Sequence, residues 1–131
     1  MKYFVTYHNE EKMGPYVQED PLHILTSKPA QGMLGNYVFI IVGKGKSPKS
    51  YELGAMFKAT TIASANTTTH ETRVEGEGVF VNRYTPLHGF SWFDKLKTIT
   101  QNFRFGTMEV TDPAIIEGLR TVADRNGFNA S

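Results

Sequence analysis

The chain has 131 residues, with 40% hydrophobic and 21% charged residues, a net charge of +1 and no cysteine. This composition is typical of a folded protein, and the length predicts a single domain over residues 1–131. Without cysteine, a disulfide framework, thiol catalysis and cysteine-ligated zinc are excluded. The near-zero charge argues against general coating of nucleic acid. Because we find neither a signal peptide nor an apolar run long enough for a membrane, we expect a cytoplasmic protein.

The first half of the chain reads mainly as strands. Residues 2–8 are rich in β-branched and aromatic side chains and predict a strand with bulk on both faces, which suits a central position. Residues 20–25, which begin Asp-Pro, predict a short capped helical turn. The apolar run at 37–42 predicts a strand buried on both faces. Residues 51–62 predict a long bent strand, with a bulge or corner at Gly54.

The second half predicts one more strand or hairpin, at 73–84, and then two helices. Ser91 followed by Asp94 resembles a capping box at the start of the first helix. Asp112 and Pro113 are typical of the N-cap and first position of the second helix. Apolar residues recur at helical spacing in both, as Trp92, Phe93, Leu96 and Ile99 in the first and Ile115, Ile116, Leu119, Val122 and Ala123 in the second.

Strands first, helices last and glycine-marked corners together predict an α+β fold. We expect a curved, mostly antiparallel sheet or partial barrel, flanked by helices that include the two at the C-terminal end.

Motifs for catalysis, metals or cofactors are missing. The histidines, His8, His23, His70 and His88, lack metal-site spacing. The run from Gly43 to Ser47 lacks the glycine spacing of a phosphate loop, and Ser91 lacks a nucleophile elbow. We therefore expect a protein without catalytic residues, metal or cofactor, which binds a partner in a pocket.

Aromatic and basic residues are the remaining candidates for binding. Phe90, Trp92 and Phe93 cluster where the last strand meets the first helix, and Phe103 and Phe105 follow at strand spacing. We expect Phe39, Phe93 and Phe105 in the core and Trp92 at a pocket rim, where it could stack on a base. The lysines at 44, 46 and 49 form either a phosphate-binding turn or an ordinary solvated turn.

The strand Tyr-Phe-Val-Thr-Tyr-His at 3–8, the Thr-Ser-Lys segment at 26–28 and the strand at 36–41 resemble the PUA-like superfamily, particularly its EVE branch. So does the lysine-glycine turn that leads into residues 51–57. Residues 88–123 are similar to the tail of modification-sensing modules found alone or fused to HNH-type nucleases. One departure is that many EVE domains carry tryptophan in the first strand, where this chain has Tyr3 and Tyr7.

The resemblance implies a pseudo-barrel whose mouth accepts a modified base flipped out of DNA, in a restriction or modification-sensing context. Because the HNH signature is absent, any nuclease would be a partner or a fused domain. RNA binding, small-molecule binding and a pocket-free interaction module remain alternatives. The base pocket would be formed by Tyr7, Asn9, Ser27, Lys28, Trp92 and Asn102, and phosphates would be bound by Lys44, Lys46 and Lys49.

Overall fold

The computed structural model describes residues 1–14, 22–26, 31–45, 50–64, 72–101, 103 and 107–125. Neither of the longer helices in these ranges has the length and apolar character needed to cross a membrane. The elements in chain order are strand β1 (Tyr3–Asn9), helix α1 (Glu10–Met13), strand β2 (Leu22–Thr26), a 3₁₀ turn (Gln31–Met33), strands β3 (Tyr37–Lys44), β4 (Ser50–Ser64) and β5 (Thr72–Pro86), helix α2 (Ser91–Ile99), strand β6 (Met108–Val110) and helix α3 (Pro113–Arg125).

Within the described ranges, the six strands form one open sheet in the order β2-β5-β4-β3-β1-β6. The pairing of β1 with β3 is parallel, and the other four neighbouring pairs are antiparallel. The predicted α+β class and the mostly antiparallel sheet are therefore confirmed. β1 lies between two neighbours, as the bulk on both of its faces predicted.

One face of the sheet packs against α2 and α3. Val5, Phe39 and Ile41 of the parallel pair join Phe93 of α2 and Leu119 of α3 in a single core, and all five are buried. The predictions that Phe39 and Phe93 are core residues are confirmed, whereas Phe105 lies outside the described residues.

Gly54 forms a bulge in β4, as its sequence predicted. Ile40 pairs with Ala55 and Ile41 pairs with Leu53, so Gly54 is the extra residue between them. One extra residue inverts the alternation of a strand. Leu53 and Met56 consequently share the helix-covered face, although residues three apart lie on opposite faces of a regular strand.

The opposite face of the sheet carries a second buried apolar cluster. Leu22 and Ile24 of β2, an edge strand, pack in one buried cluster with Val38 and Ile40 of β3. β5 and β4 lie between β2 and β3 in the sheet order, and Val74 of β5 and Phe57 of β4 belong to the same cluster, which therefore extends across four neighbouring strands.

The structure has strand β2 where the sequence predicted a helical turn at 20–25. Leu22 and Ile24 are buried while Leu25 is 45% exposed, which is the two-residue alternation of a strand. The five ladder pairs with β5 outweigh the local preference that Asp-Pro gives for a helix start. The Asp-Pro pair itself lies outside the described residues.

The structure confirms the predicted start of α3 and corrects the predicted start of α2. The Asp112 carboxylate accepts hydrogen bonds from the backbone N–H groups of Ala114 and Ile115, at 2.9 and 3.2 Å. In α2 the N-cap is Phe90, which has no side-chain cap, and Ser91 is already helical. Ser91 therefore sits one residue too late to form the predicted capping box with Asp94.

The segment between the helices differs from the predicted order of strands first and helices last. β6 lies there and pairs with β1, and no local pattern predicted it because it is only three residues long. Phe103 is not in a strand, since it occupies a turn with a φ of 62°. Its side chain is nevertheless buried, so tertiary packing holds this unusual backbone.

Candidate functional site

An aromatic cluster lies where the carboxyl ends of β1 and β3 meet the start of β4. Asn9 pairs with Gly43 in the parallel ladder, and Gly43 pairs in turn with Tyr51. This register brings Tyr7 of β1 and Tyr51 of β4 together on the face covered by the helices. We call the group Tyr7, Tyr51, His88, Phe93, Lys97 and Phe103 the aromatic site.

Two buried phenylalanines support two half-buried tyrosines. The Tyr7 ring stacks on Phe103 with centroids 4.9 Å apart and an interplanar angle of 15°. Tyr51 contacts Phe93 and Phe103, each at 5.4 Å, and Tyr7 at 6.0 Å. Phe93 and Phe103 are buried, whereas Tyr7 and Tyr51 each keep an intermediate exposure. The tyrosines thus form a fixed but accessible aromatic surface.

His88 and Lys97 add polar groups to these rings. The Tyr51 backbone N–H donates to Nε2 of His88 at 3.2 Å, and the Leu87 N–H donates to the Tyr51 carbonyl at 3.0 Å. Lys97, one turn after Phe93 on α2, places Nζ 5.6 Å from the ring centroids of both Tyr51 and Phe93. This distance allows a cation–π attraction, so a cation lies beside Tyr51.

Both tyrosine hydroxyls of the site stay protonated well above neutral pH. Burial, together with the nearby Tyr51 and Glu11, raises the pKa of Tyr7 from its usual value to about 12. Burial also raises the pKa of Tyr51. Within the described part of the chain neither hydroxyl has a hydrogen-bond partner, and the Tyr7 hydroxyl lies against Gly43 of β3.

Of the residues predicted for the base pocket, Tyr7 lies in the aromatic site and Asn9 lies beside it. The Asn9 side chain accepts a hydrogen bond from the Glu11 N–H at 3.1 Å and caps α1. Its carbonyl oxygen is therefore already engaged. Ser27, Lys28 and Asn102 lie outside the described residues.

Trp92 makes a different set of contacts. Its indole stacks on Phe90 at 5.3 Å, meets Phe93 edge-on at 6.2 Å, and lies against Gly118 of α3. Among the ring contacts that the structure describes, Trp92 and Tyr7 share none directly, because Phe93 and its neighbours lie between them. Trp92 is half-buried, and its position links the two helices.

Lys44 emerges on the other side of the sheet. Strand alternation places Lys44 with Val38, Ile40 and Val42, opposite the face that carries Tyr51. Its ammonium lies 3.5 Å from the Glu52 carboxylate. The other two residues of the predicted phosphate-binding turn, Lys46 and Lys49, lie outside the described residues.

Sequence reasoning missed Tyr51, His88 and Lys97. The spacing of Phe93 and Lys97, four residues apart on a helix, signals that their side chains are neighbours. The meeting of Tyr51 with His88, 37 residues later, depends on the pairing of β4 with β5 and carries no local signal.

The arrangement suits binding of a flat ring, which could stack on the tyrosines and bond to their hydroxyls. Within the described ranges, no three His, Asp or Glu side chains are grouped so that they could hold a metal ion. Comparison of the chain with protein-family models, curated proteins and solved structures finds no match.

Proposed function

We propose that this chain is a nucleic-acid-binding module whose aromatic site receives a modified base flipped out of DNA. The observation that carries the proposal is the pair of half-buried tyrosines, Tyr7 and Tyr51, held by buried phenylalanines and flanked by the Lys97 ammonium. Stacking of a base on an aromatic side chain is worth about 1–3 kcal/mol. A flipped base is read by such stacking together with hydrogen bonds to its edge.

The fold is compatible with this proposal. A curved sheet covered by two helices is the coarse architecture expected of a PUA-like pseudo-barrel, and the EVE resemblance is part of the same proposal. The module would act by binding, and any cleavage in a restriction or modification-sensing context would be performed by a nuclease partner or a fused domain.

The test compares two tyrosines of one strand. Tyr7 and Tyr3 lie on the same face of β1, and both are half-buried and stacked, Tyr7 on Phe103 and Tyr3 on Tyr37 at 5.7 Å. Binding of fluorescent oligonucleotides with methylated, hydroxymethylated and unmodified bases is measured by anisotropy. We expect Tyr7→Leu to weaken binding about 5- to 150-fold, and Tyr3→Leu to leave it almost unchanged.

The nucleic-acid form is tested in the same experiment. The same modified base is placed in duplex DNA, in single-stranded DNA and in RNA. If the base is flipped, a mismatch opposite it should strengthen binding to the duplex, because unpairing costs less there. Equal losses from the two leucine variants, or no binding to any oligonucleotide, would contradict the proposal. A preference for RNA over DNA would instead support the RNA-binding alternative.

A further inference from the structure

The polar groups of the aromatic site are mainly hydrogen-bond donors. The hydroxyls of Tyr7 and Tyr51 are protonated at neutral pH, as tyrosine hydroxyls ordinarily are, and burial raises both pKa values further above neutral. Lys97 carries three N–H donors and no acceptor. The hydroxyl oxygens can also accept, but each hydroxyl still has its proton to donate.

His88 contributes one further N–H group beside the rings. Its Nε2 accepts the Tyr51 backbone N–H at 3.2 Å, so Nε2 must be unprotonated when this bond is made. The proton of the neutral imidazole is then on Nδ1. His88 is exposed, and its ring lies 5.8 Å from Tyr51 and 6.0 Å from Phe93.

Lys97 and Glu11 carry the opposite charges that act on the tyrosines of the site. Lys97 lies over the rings of Tyr51 and Phe93. Glu11 of α1 is the acidic group that affects Tyr7, but it is exposed, so water and salt screen its charge. The Glu52 carboxylate lies on the opposite face of the sheet, next to Lys44.

We infer that the aromatic site selects a planar ring bearing a carboxylate, and that in nucleic acid its preferred base is carboxyl-modified. The ring stacks on Tyr7 and Tyr51, and the carboxylate accepts hydrogen bonds from the hydroxyls and from Lys97. Bonds between an ammonium and a carboxylate are among the strongest in proteins. Only the nucleic-acid part of this inference rests on the proposed function.

The experiment uses two pairs of probes with the full chain. Free orotate is compared with uracil, and an oligonucleotide with 5-carboxylcytosine is compared with the same oligonucleotide with 5-methylcytosine, by calorimetry at neutral pH. We expect the carboxylated member of each pair to bind at least about tenfold more tightly, as a charged hydrogen bond gives. Lys97→Gln should remove most of that preference.

Lys95→Gln is the matched control. Lys95 lies on the same helix, but its side chain is exposed and bound to Asp112 at 2.7 Å. The preference for the carboxylate should survive this change. Equal affinities within each pair, or a preference that Lys97→Gln leaves intact, would overturn the inference.

The two proposals fail in different ways. If oligonucleotides bind through Tyr7 without preferring the carboxylated base, the inference fails while the proposed function stands. If no oligonucleotide binds but orotate binds in a manner that needs Lys97, the proposed function fails, and the site serves free planar carboxylates.

Discussion

Gly43 makes room for Tyr7. A Cβ atom at Gly43 would overlap the hydroxyl of Tyr7, whose ring stacks on Phe103 and makes a tilted contact with Tyr51. Gly43 belongs to β3, two residues beyond the partner of Tyr7 in the parallel ladder. The position of the Tyr7 ring in β1 therefore requires that residue 43 in β3 has no side chain.

We expect Gly43→Ala to displace the Tyr7 ring and damage the aromatic site. Alanine suits a strand better than glycine, so propensity alone would raise the free energy of unfolding. Overpacking instead lowers it by about 1–3 kcal/mol. Urea unfolding and the ultraviolet titration of tyrosine measure the two effects, and the pKa of Tyr7 should fall toward its ordinary range.

Gly32→Ala is the control for this substitution. A Cβ at Gly32 would meet nothing within 4 Å, and the residue lies in the 3₁₀ turn before β3. The tyrosine titration of the Gly32→Ala protein should match that of the parent protein. A Gly43→Ala protein with unaltered titration and stability would show that Tyr7 does not need this space.

Tyr7 should make the protein sensitive to alkali. Its pKa is near the ordinary 10.0 in the unfolded chain and about 12 in the folded protein. Between these values the unfolded chain binds fewer protons, so the free energy of unfolding falls as pH rises from 10 to 12. The contribution is complete below pH 10. Urea unfolding from pH 9 to 12 measures this decline, which Tyr7→Phe should reduce.

Tyr3→Phe is the comparison for that experiment, since Tyr3 lies on the same face of β1 and stacks on Tyr37, outside the aromatic site. Its pH profile should follow that of the parent protein. If Tyr7→Phe and Tyr3→Phe gave the same alkaline profile, the decline would not belong to Tyr7.

Gly118 of α3 leaves space for the Trp92 ring of α2, as Gly43 does for Tyr7. A Cβ at Gly118 of α3 would overlap the indole of Trp92. Alanine normally stabilises a helix interior by about 1 kcal/mol relative to glycine, but here we expect Gly118→Ala to destabilise by about 1–3 kcal/mol. Trp92 is the only tryptophan, so its emission should shift to the red as the ring is displaced toward water.

The sign of this effect can be inverted by a second substitution. In a Trp92→Ala background the overlap is gone, and Gly118→Ala should then stabilise the protein. A double-mutant cycle measures the coupling. If Gly118→Ala stabilised the protein in both backgrounds, the contact would have no energetic weight.

The sequence predicted the elements whose signals are local. Each of three signals can be recognised from neighbouring residues alone: the apolar run at 37–42, the bulge at Gly54 and the helix start at Asp112-Pro113. The structure has β3, β4 with its bulge, and α3 at these places. β2 was missed because its strand character comes from pairing with β5, which overrides the Asp-Pro preference before it.

The site was less predictable than the fold. Tyr7 could be proposed because it is aromatic and lies near the end of a strand. Its partners come from β4 and from the turn after α2, and nothing near Tyr7 in sequence specifies them. The stacking hypothesis for Trp92 came from its position at a helix start, where a tryptophan can be half-exposed. Its half-buried indole packs against Gly118, a contact that needs the relative placement of two helices.

The end of α2 contains a strained residue that glycine should relieve. Thr100 is the C-cap, and its backbone N–H donates to the Leu96 carbonyl at 3.0 Å. Gln101 follows with a φ of 50°, in the left-handed region that glycine usually occupies at this position. The Gln101 N–H donates to the Thr98 carbonyl at 3.2 Å, and this bond needs no side chain.

We expect Gln101→Gly to raise the free energy of unfolding by about 0.5–1 kcal/mol. Relief of the left-handed strain is worth about 1–2 kcal/mol, and the greater freedom of glycine in the unfolded chain offsets part of it. The Gln101 side chain is exposed, so its removal costs little packing. Gln101→Ala is the decisive control, because alanine removes the same side chain but keeps the Cβ that causes the strain. Urea unfolding should therefore show a gain for glycine and none for alanine, and equal effects would mean that the backbone at this position is not strained.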